Sequence, residues 1–176
     1  MKEFSNENVK IKEITIDDQE LYHFYQRQPE VSLVEKFKPW FESLNQMIVR
    51  ERGHIFWVIS VKSGEVLGTV EIFNVLRRKF QSAFIDFHIL EKGKDQAEEI
   101  ISLLLDCCFE DLKLFKVKTM VVESESHFVP PLLSLGFKKI YNEEAAFFDI
   151  VTPAPRSADI YALLSPHVNR QLLDLP

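Results

Sequence analysis

Excess positive charge, a long apolar run and a cysteine framework are all missing from this sequence, and each absence removes a class of protein. Twenty-one lysines and arginines stand against 27 aspartates and glutamates, for a formal net charge of −6. A general nucleic-acid binder needs the opposite balance to neutralise phosphates. No apolar run approaches the ~20 residues that cross a bilayer, and the first eight residues carry no apolar leader core, so no secretory signal and no membrane contact are expected. The two cysteines, Cys107 and Cys108, are adjacent in a helical pattern, where they cannot easily bond one another. They indicate a reducing compartment, the cytoplasm, with Cys108 packed in the core and no metal held. Internal repeats and low-complexity segments are absent as well.

What is present is enough apolar material, 46% of 176 residues, for one ordinary core. The expectation is a single domain over residues 1–176, with 166–176 as a short tail. Residues 9–16 alternate as a first strand. Asp17 with Glu20, and Ser32 with Glu35, then open helical patterns at capping-box spacing, and apolar positions continue helically to about residue 50. Residues 55–61 and 66–73, joined by the turn 62–65, read as a hairpin. The basic run 77–79 is a solvated turn or a phosphate contact.

Residues 83–137 form the centre of the pattern. Residues 83–90 have strand length and composition, 91–95 a turn, and 96–113 a helical period. In that helix Ala97, Ile100, Ile101, Leu104, Cys108 and Leu112 make a buried stripe opposite Glu98, Ser102, Asp106 and Glu110. Residues 115–122 are a second strand. Strand, turn, helix, strand is a βαβ unit, and its turn is a natural anion site because the helix N-terminus presents unpaired N–H groups there. Beyond Phe137, residues 138–141 and 145–151 read as a strand and its return, 152–155 as a Pro-containing loop, and 159–164 as a last strand.

The order of these pieces resembles the GCN5-related N-acetyltransferase (GNAT) superfamily, especially its ribosomal-protein-acetylating branch. The similarity spans nearly the whole chain, through 68–72, 85–87 with Gly93-Lys94, 97–100, 104–109, Leu135-Gly136-Phe137 and 159–161. It implies an α+β fold: a mixed, mainly antiparallel sheet flanked by helices, in three layers. It also implies acetyl-CoA as co-substrate. The family's pyrophosphate turn aligns with Lys92, Gly93, Lys94, Asp95, Gln96 and Ala97, while Ile89 and Leu90 are expected to pair through their backbone with pantetheine, on a strand that splays from its neighbour. Asp95 stands where the family has a glycine. At an effective dielectric near 20, two unit charges ~6 Å apart repel by ~3 kcal/mol, so it opposes pyrophosphate unless it turns back to cap the helix.

For chemistry, Asp86 and His88 share one strand face, and Glu71 lies on the neighbouring strand. A histidine or carboxylate there is either a base for an ammonium nucleophile or, for His88 beside Asp86, a structural hydrogen-bonding group. Glu123 and Glu125 are further candidates to collect an ammonium. The strand glutamate of many relatives is Phe84 here, and the Tyr that protonates the departing thiolate is Leu132. His127 is a substitute acid or a loop residue, and Pro130 and Pro131 make the helix around Leu132 start late. The resemblance implies acetyl transfer to a primary amine, either a protein N-terminus or a small amine, with Glu71, Asp86 and His88 as the catalytic set. The alternative is a catalytically degenerate GNAT-fold module that binds acyl-CoA or another protein. The oligomeric state is open, a homodimer being one arrangement the sequence allows.

Overall fold

The computed structural model describes residues 2–14, 53–77, 81–148 and 155–167. The helices expected between residues 17 and 50, and most of the basic turn after Arg77, lie outside the described residues. In chain order the elements are β1 (Glu3–Ser5), β2 (Val9–Glu13), β3 (His54–Ser60), β4 (Val66–Leu76), β5 (Ser82–Ile89), α1 (Ala97–Asp106), β6 (Lys116–Val121), α2 (Val129–Ser134), β7 (Lys138–Phe148) and β8 (Pro155–Leu164). Short 3-10 turns occupy Glu91–Gln96 and Glu123–Phe128, and a wide π turn, Cys107–Asp111, ends α1.

The eight strands form one sheet in the order β1-β2-β3-β4-β5-β6-β8-β7. Among the described strands only β5 and β6 run parallel, and α1 crosses between them, as the βαβ reading predicts. The fold is therefore the expected mixed, mainly antiparallel α+β sheet. Alternation sorts its side chains onto two faces. One face carries Ile11, Phe56, Val70, Ile85, Val117 and Val121 into a single core with α1. The expected stripe is buried in full, and Leu103, Leu105, Cys107 and Phe109 are buried with it. Both thiols are free and buried.

One expectation is corrected. Residues 138–141 and 145–151 are not a strand and its return: β7 runs unbroken through 138–148, and β8 is the return. The break read near residue 145 is a bulge, with Ala145 at φ +53°. The helix that carries Leu132 starts late, at Val129, with its prolines in the first turn, as expected, and Leu132 is fully buried in the core.

The feature that positions the site is in β4. Val58 pairs with Gly68 and Ile59 with Val66, so Leu67 is an extra, bulged residue. Gly68 has φ +153°, and a Cβ built on it would lie 2.2 Å from the backbone oxygen of His88. Only glycine allows β5 so near. The Leu67 carbonyl accepts the Leu90 N–H at 2.8 Å, which ties the end of β5 to the bulge. Replacing Gly68 with Ala should cost at least about 2–3 kcal/mol in urea unfolding. Gly64→Ala, at φ +71° with open space around it, should cost about 1 kcal/mol. Equal losses for the two would show that the contact with His88 carries no weight.

Candidate active site

Pairing between β5 and β6 begins at Ser82 and Lys116 and stops at Ile85 and Thr119, whereas β5 stays paired with β4 as far as Ile89. Residues 86–89 therefore leave β6 behind, and a wedge opens between two parallel strands. Backbone N–H groups alternate between the two edges of a strand. Since the Leu90 N–H goes to Leu67 on β4, those of Phe87 and Ile89 face the wedge. Ile89 thus stands where expected. Leu90 does not, because its N–H is turned to the bulge and its carbonyl accepts from Gly93 at 2.8 Å.

Across the sheet face away from α1, side chains fall into three rows. Trp57, Thr69 and His88 are cross-strand partners in the first; Ile55, Glu71 and Asp86 in the second; Phe73, Phe84 and Lys118 in the third. The sequence-predicted Glu71, Asp86 and His88 are thus brought together on β4 and β5. In the third row the Phe73 and Phe84 rings stack at 5.7 Å, with the Lys118 ammonium 4.2 Å from the Phe84 centroid. Phe84 is therefore an aromatic wall beside the carboxylates.

The turn Glu123–Phe128 adds Glu125, which the sequence offered as a secondary candidate. This turn follows β6 beside the wedge: Phe128 packs on Phe87, with centroids 5.4 Å apart, and Asp86 acts electrostatically on Glu125. Burial, then repulsion from Asp86, raises the Glu71 pKa to about 7, and the same two causes in the same order raise Glu125 to about 7. Asp86 is open to solvent, yet it stands in a concavity crowded by protein atoms. That crowding raises its pKa against the Phe87 N–H, which donates to its Oδ1 at 2.9 Å, and against the attraction of His88. Glu123 is exposed on the other side of the turn and lines a separate cleft of about 730 Å³ with Ser124, Asn142, Arg156 and Asp159.

The predicted pyrophosphate turn is a compact 3-10 turn. Lys92 pairs with Glu65 at 3.3 Å and Lys94 with Glu91 at 2.6 Å. Asp95 is exposed and does not cap α1: the residue before Ala97 is Gln96, and no side-chain cap bond is made there. The N–H of Gly93 goes to Leu90, while that of Ala97 goes to Lys94. Gly93 is buried, and a Cβ there would come within 2.9 Å of the Ile89 side chain and 3.1 Å of Leu67. This glycine therefore packs the turn against the bulge. His127 is exposed, stacks on Phe128 at 4.2 Å, and has its pKa lowered by partial burial and by Lys94, which places it beside this turn.

The groups that sequence reasoning missed are the Leu67–Gly68 bulge and Lys118. A glycine inside a strand pattern was the available signal for the first; nothing in the alternation singled out Lys118 from Lys116.

The carboxylates also bear on stability. Glu71 and Glu125 bind protons more tightly folded than unfolded, so between about pH 4.5 and 7 the native state holds more protons and stability falls as pH rises. The melting temperature should therefore decline from pH 5 to pH 8, and Glu71→Gln should flatten that decline. An unchanged slope in the variant would show that Glu71 titrates normally.

No family model matches the chain. In sequence, it is 25% identical over 96 residues to the probable N-acetyltransferase YjcK of Bacillus subtilis (strain 168). That match covers 53% of each chain, about half the length of the curated relative. In structure, it aligns with a ribosomal-protein-S5-alanine acetyltransferase from Vibrio fischeri at TM-score 0.78 and 16% identity, covering 96% of this chain and 100% of that one. It aligns with a spermidine N-acetyltransferase from Vibrio cholerae, solved with CoA and spermine, at TM-score 0.74 and 20% identity, covering 91% and 97%. With the crossover helix α1 and the wedge between its two parallel strands, the chain has the fold of the GCN5-related N-acetyltransferases.

Proposed function

We propose that the protein is an acetyl-CoA-dependent N-acetyltransferase acting on a primary amine, and that the wedge between β5 and β6, flanked by Glu71, Asp86 and Glu125, is its catalytic centre. The observation that carries this reading is the coincidence of the two features. Strands part where the backbone of Ile89 can pair with an extended amide chain, and three carboxylates stand beside that opening. The fit to acetyl-CoA rests on the same groups, with Gly93 and the turn before α1 at the phosphate end and Lys92, Lys94, Gln96 and Ala97 around it. No metal enters the proposed reaction, and the cytoplasm is its proposed compartment, in keeping with the free thiols.

In this mechanism the carboxylates draw in an ammonium ion and take its proton, Glu71 and Glu125 being suited to that task because they titrate near neutrality. The neutral nitrogen attacks the thioester carbonyl carbon, an N–C bond forms, and the C–S bond breaks. The proton lost by nitrogen stays on the carboxylate or passes to water. A thiol with a pKa of ~8.5 leaves tolerably as the anion, so burial of Leu132 does not stop the reaction. The acceptor is a small amine or the N-terminus of a protein.

Acetyl-CoA should raise the melting temperature, since a ligand bound only by the native state must stabilise it. Turnover with polyamines and N-terminal peptides should fall as pH drops below about 7, and Glu71→Gln or Glu125→Gln should displace that acidic limb. No shift with any acyl-CoA at millimolar concentration would favour an interaction module instead. One observation leans that way: both lysines of the phosphate turn already face glutamates.

A second prediction addresses Asp95. Its charge is exposed in the turn and makes no cap bond, so Asp95→Gly should tighten CoA binding several-fold by calorimetry with little loss of stability. Unchanged affinity would place the phosphates elsewhere.

A further inference from the structure

The sheet face that carries Glu71 and Asp86 is not acidic throughout. β6 adds Lys116 and Lys118 to it, opposite Ser82 and Phe84 of β5. Neither lysine forms an ion pair among the described residues, in contrast to Lys92 and Lys94 on the turn before α1. Lys118 is half-buried, with its ammonium 4.2 Å from the Phe84 ring centroid. Burial and then Lys116 lower its pKa, and no carboxylate among the described residues offsets them. A ring face compensates an ammonium less than a carboxylate does. Among the described residues, Lys118 is thus a cation held beside the carboxylates without an anion of its own.

The spacing suits a molecule with two charged ends. Asp86 lies two residues beyond Phe84 on β5, and Phe84 is the cross-strand partner of Lys118, so Asp86 and Lys118 are diagonal neighbours. Residues so related stand ~7–8 Å apart across a sheet. Phe84 is next to both, and it stacks on Phe73 at 5.7 Å to give an apolar surface. An ammonium seated at the carboxylates, followed by a short apolar spacer along these rings, brings its next group to Lys118. A carboxylate in that place is attracted, and a second ammonium is repelled.

We propose that the acceptor carries a carboxylate as well as its reacting amine, and that Lys118 is the specificity-determining residue that receives it. The amine lies against Glu71, Asp86 and Glu125, the spacer along Phe84, and the carboxylate at the Lys118 ammonium. This inference rests on the acetyltransferase reading and narrows it, since a polyamine would bring a second ammonium to Lys118. The required chemistry is found in an ω-amino acid and in a peptide N-terminus followed by an acidic side chain.

The test measures acetyl-CoA-dependent turnover of three acceptors of similar length, aminocaproate, hexylamine and hexamethylenediamine, at about 50 mM salt to limit screening. Wild type should favour aminocaproate over the diamine by about fivefold or more in kcat/KM, mainly through KM. Lys118→Glu should reverse that order, and Lys118→Met should level it. The amidated tripeptides Ala-Glu-Ala and Ala-Lys-Ala repeat the comparison for a peptide N-terminus, and the better-used pair identifies the source of the acceptor. A Lys118 that only packs on Phe84 would lower all rates together in its variants and leave their order unchanged. That result, or a wild type that uses the cationic member of both pairs as well as the acidic one, overturns the inference and leaves the acetyltransferase reading standing. No turnover of any of these acceptors overturns both. Should Lys118→Glu fail to fold by circular dichroism, Lys118→Met decides, because a preference that survives it does not come from Lys118.

Discussion

The close approach of Gly68 to the His88 carbonyl is the contact on which the rest of the site depends. With no Cβ in the way, the bulge at Leu67 turns its carbonyl toward Leu90 and holds the end of β5 against β4. A strand held on one edge is free to part from its neighbour on the other. β6 ends at Val121, and the turn from Glu123 to Phe128 follows it beside the opening. Gly93 then packs onto Leu67 and Ile89, so the turn before α1 is anchored to the same bulge. One missing side chain thus governs the wedge, the turn at its mouth and the placement of Glu125.

Electrostatics give the wedge its chemical character. Glu71 and Asp86 are cross-strand partners, and Glu125 is delivered from the far side by the turn. Partial burial of carboxylates that also repel one another costs stability at high pH, and the surrounding core carries that cost. The same conditions put two groups near pH 7, the range a base needs to hold and release an amine's proton. A site that destabilises its fold in this way is typical of function rather than of packing. Phe84 and Lys118 close one side of the row, and His88 with Thr69 the other.

The turn before α1 is organised differently. Its lysines are tied to glutamates, its aspartate is exposed, and its glycine serves packing more than ligand approach. The turn is consequently a small folded unit in its own right.

Much of this was legible in the sequence. Alternation and apolar composition gave β3, β5 and β6 to within a residue, while β4 runs three residues beyond its expected end and the expected helix 96–113 is α1 to Asp106 followed by the π turn. The placement of Glu71 on the strand next to Asp86 and His88 followed from the strand order, whereas its direct opposition to Asp86 is a matter of register. Three things were decided only in three dimensions. The bulge at Leu67 is invisible to alternation, since one extra residue is detectable only against the strand it pairs with. The inward turn of Leu132 and the approach of Glu125 to Asp86 depend on where a short turn ends, and local propensity does not specify that. β7 read as two pieces because its bulge at Ala145 resembles a turn, until β8 pairs with residues on both sides of it and makes them one strand.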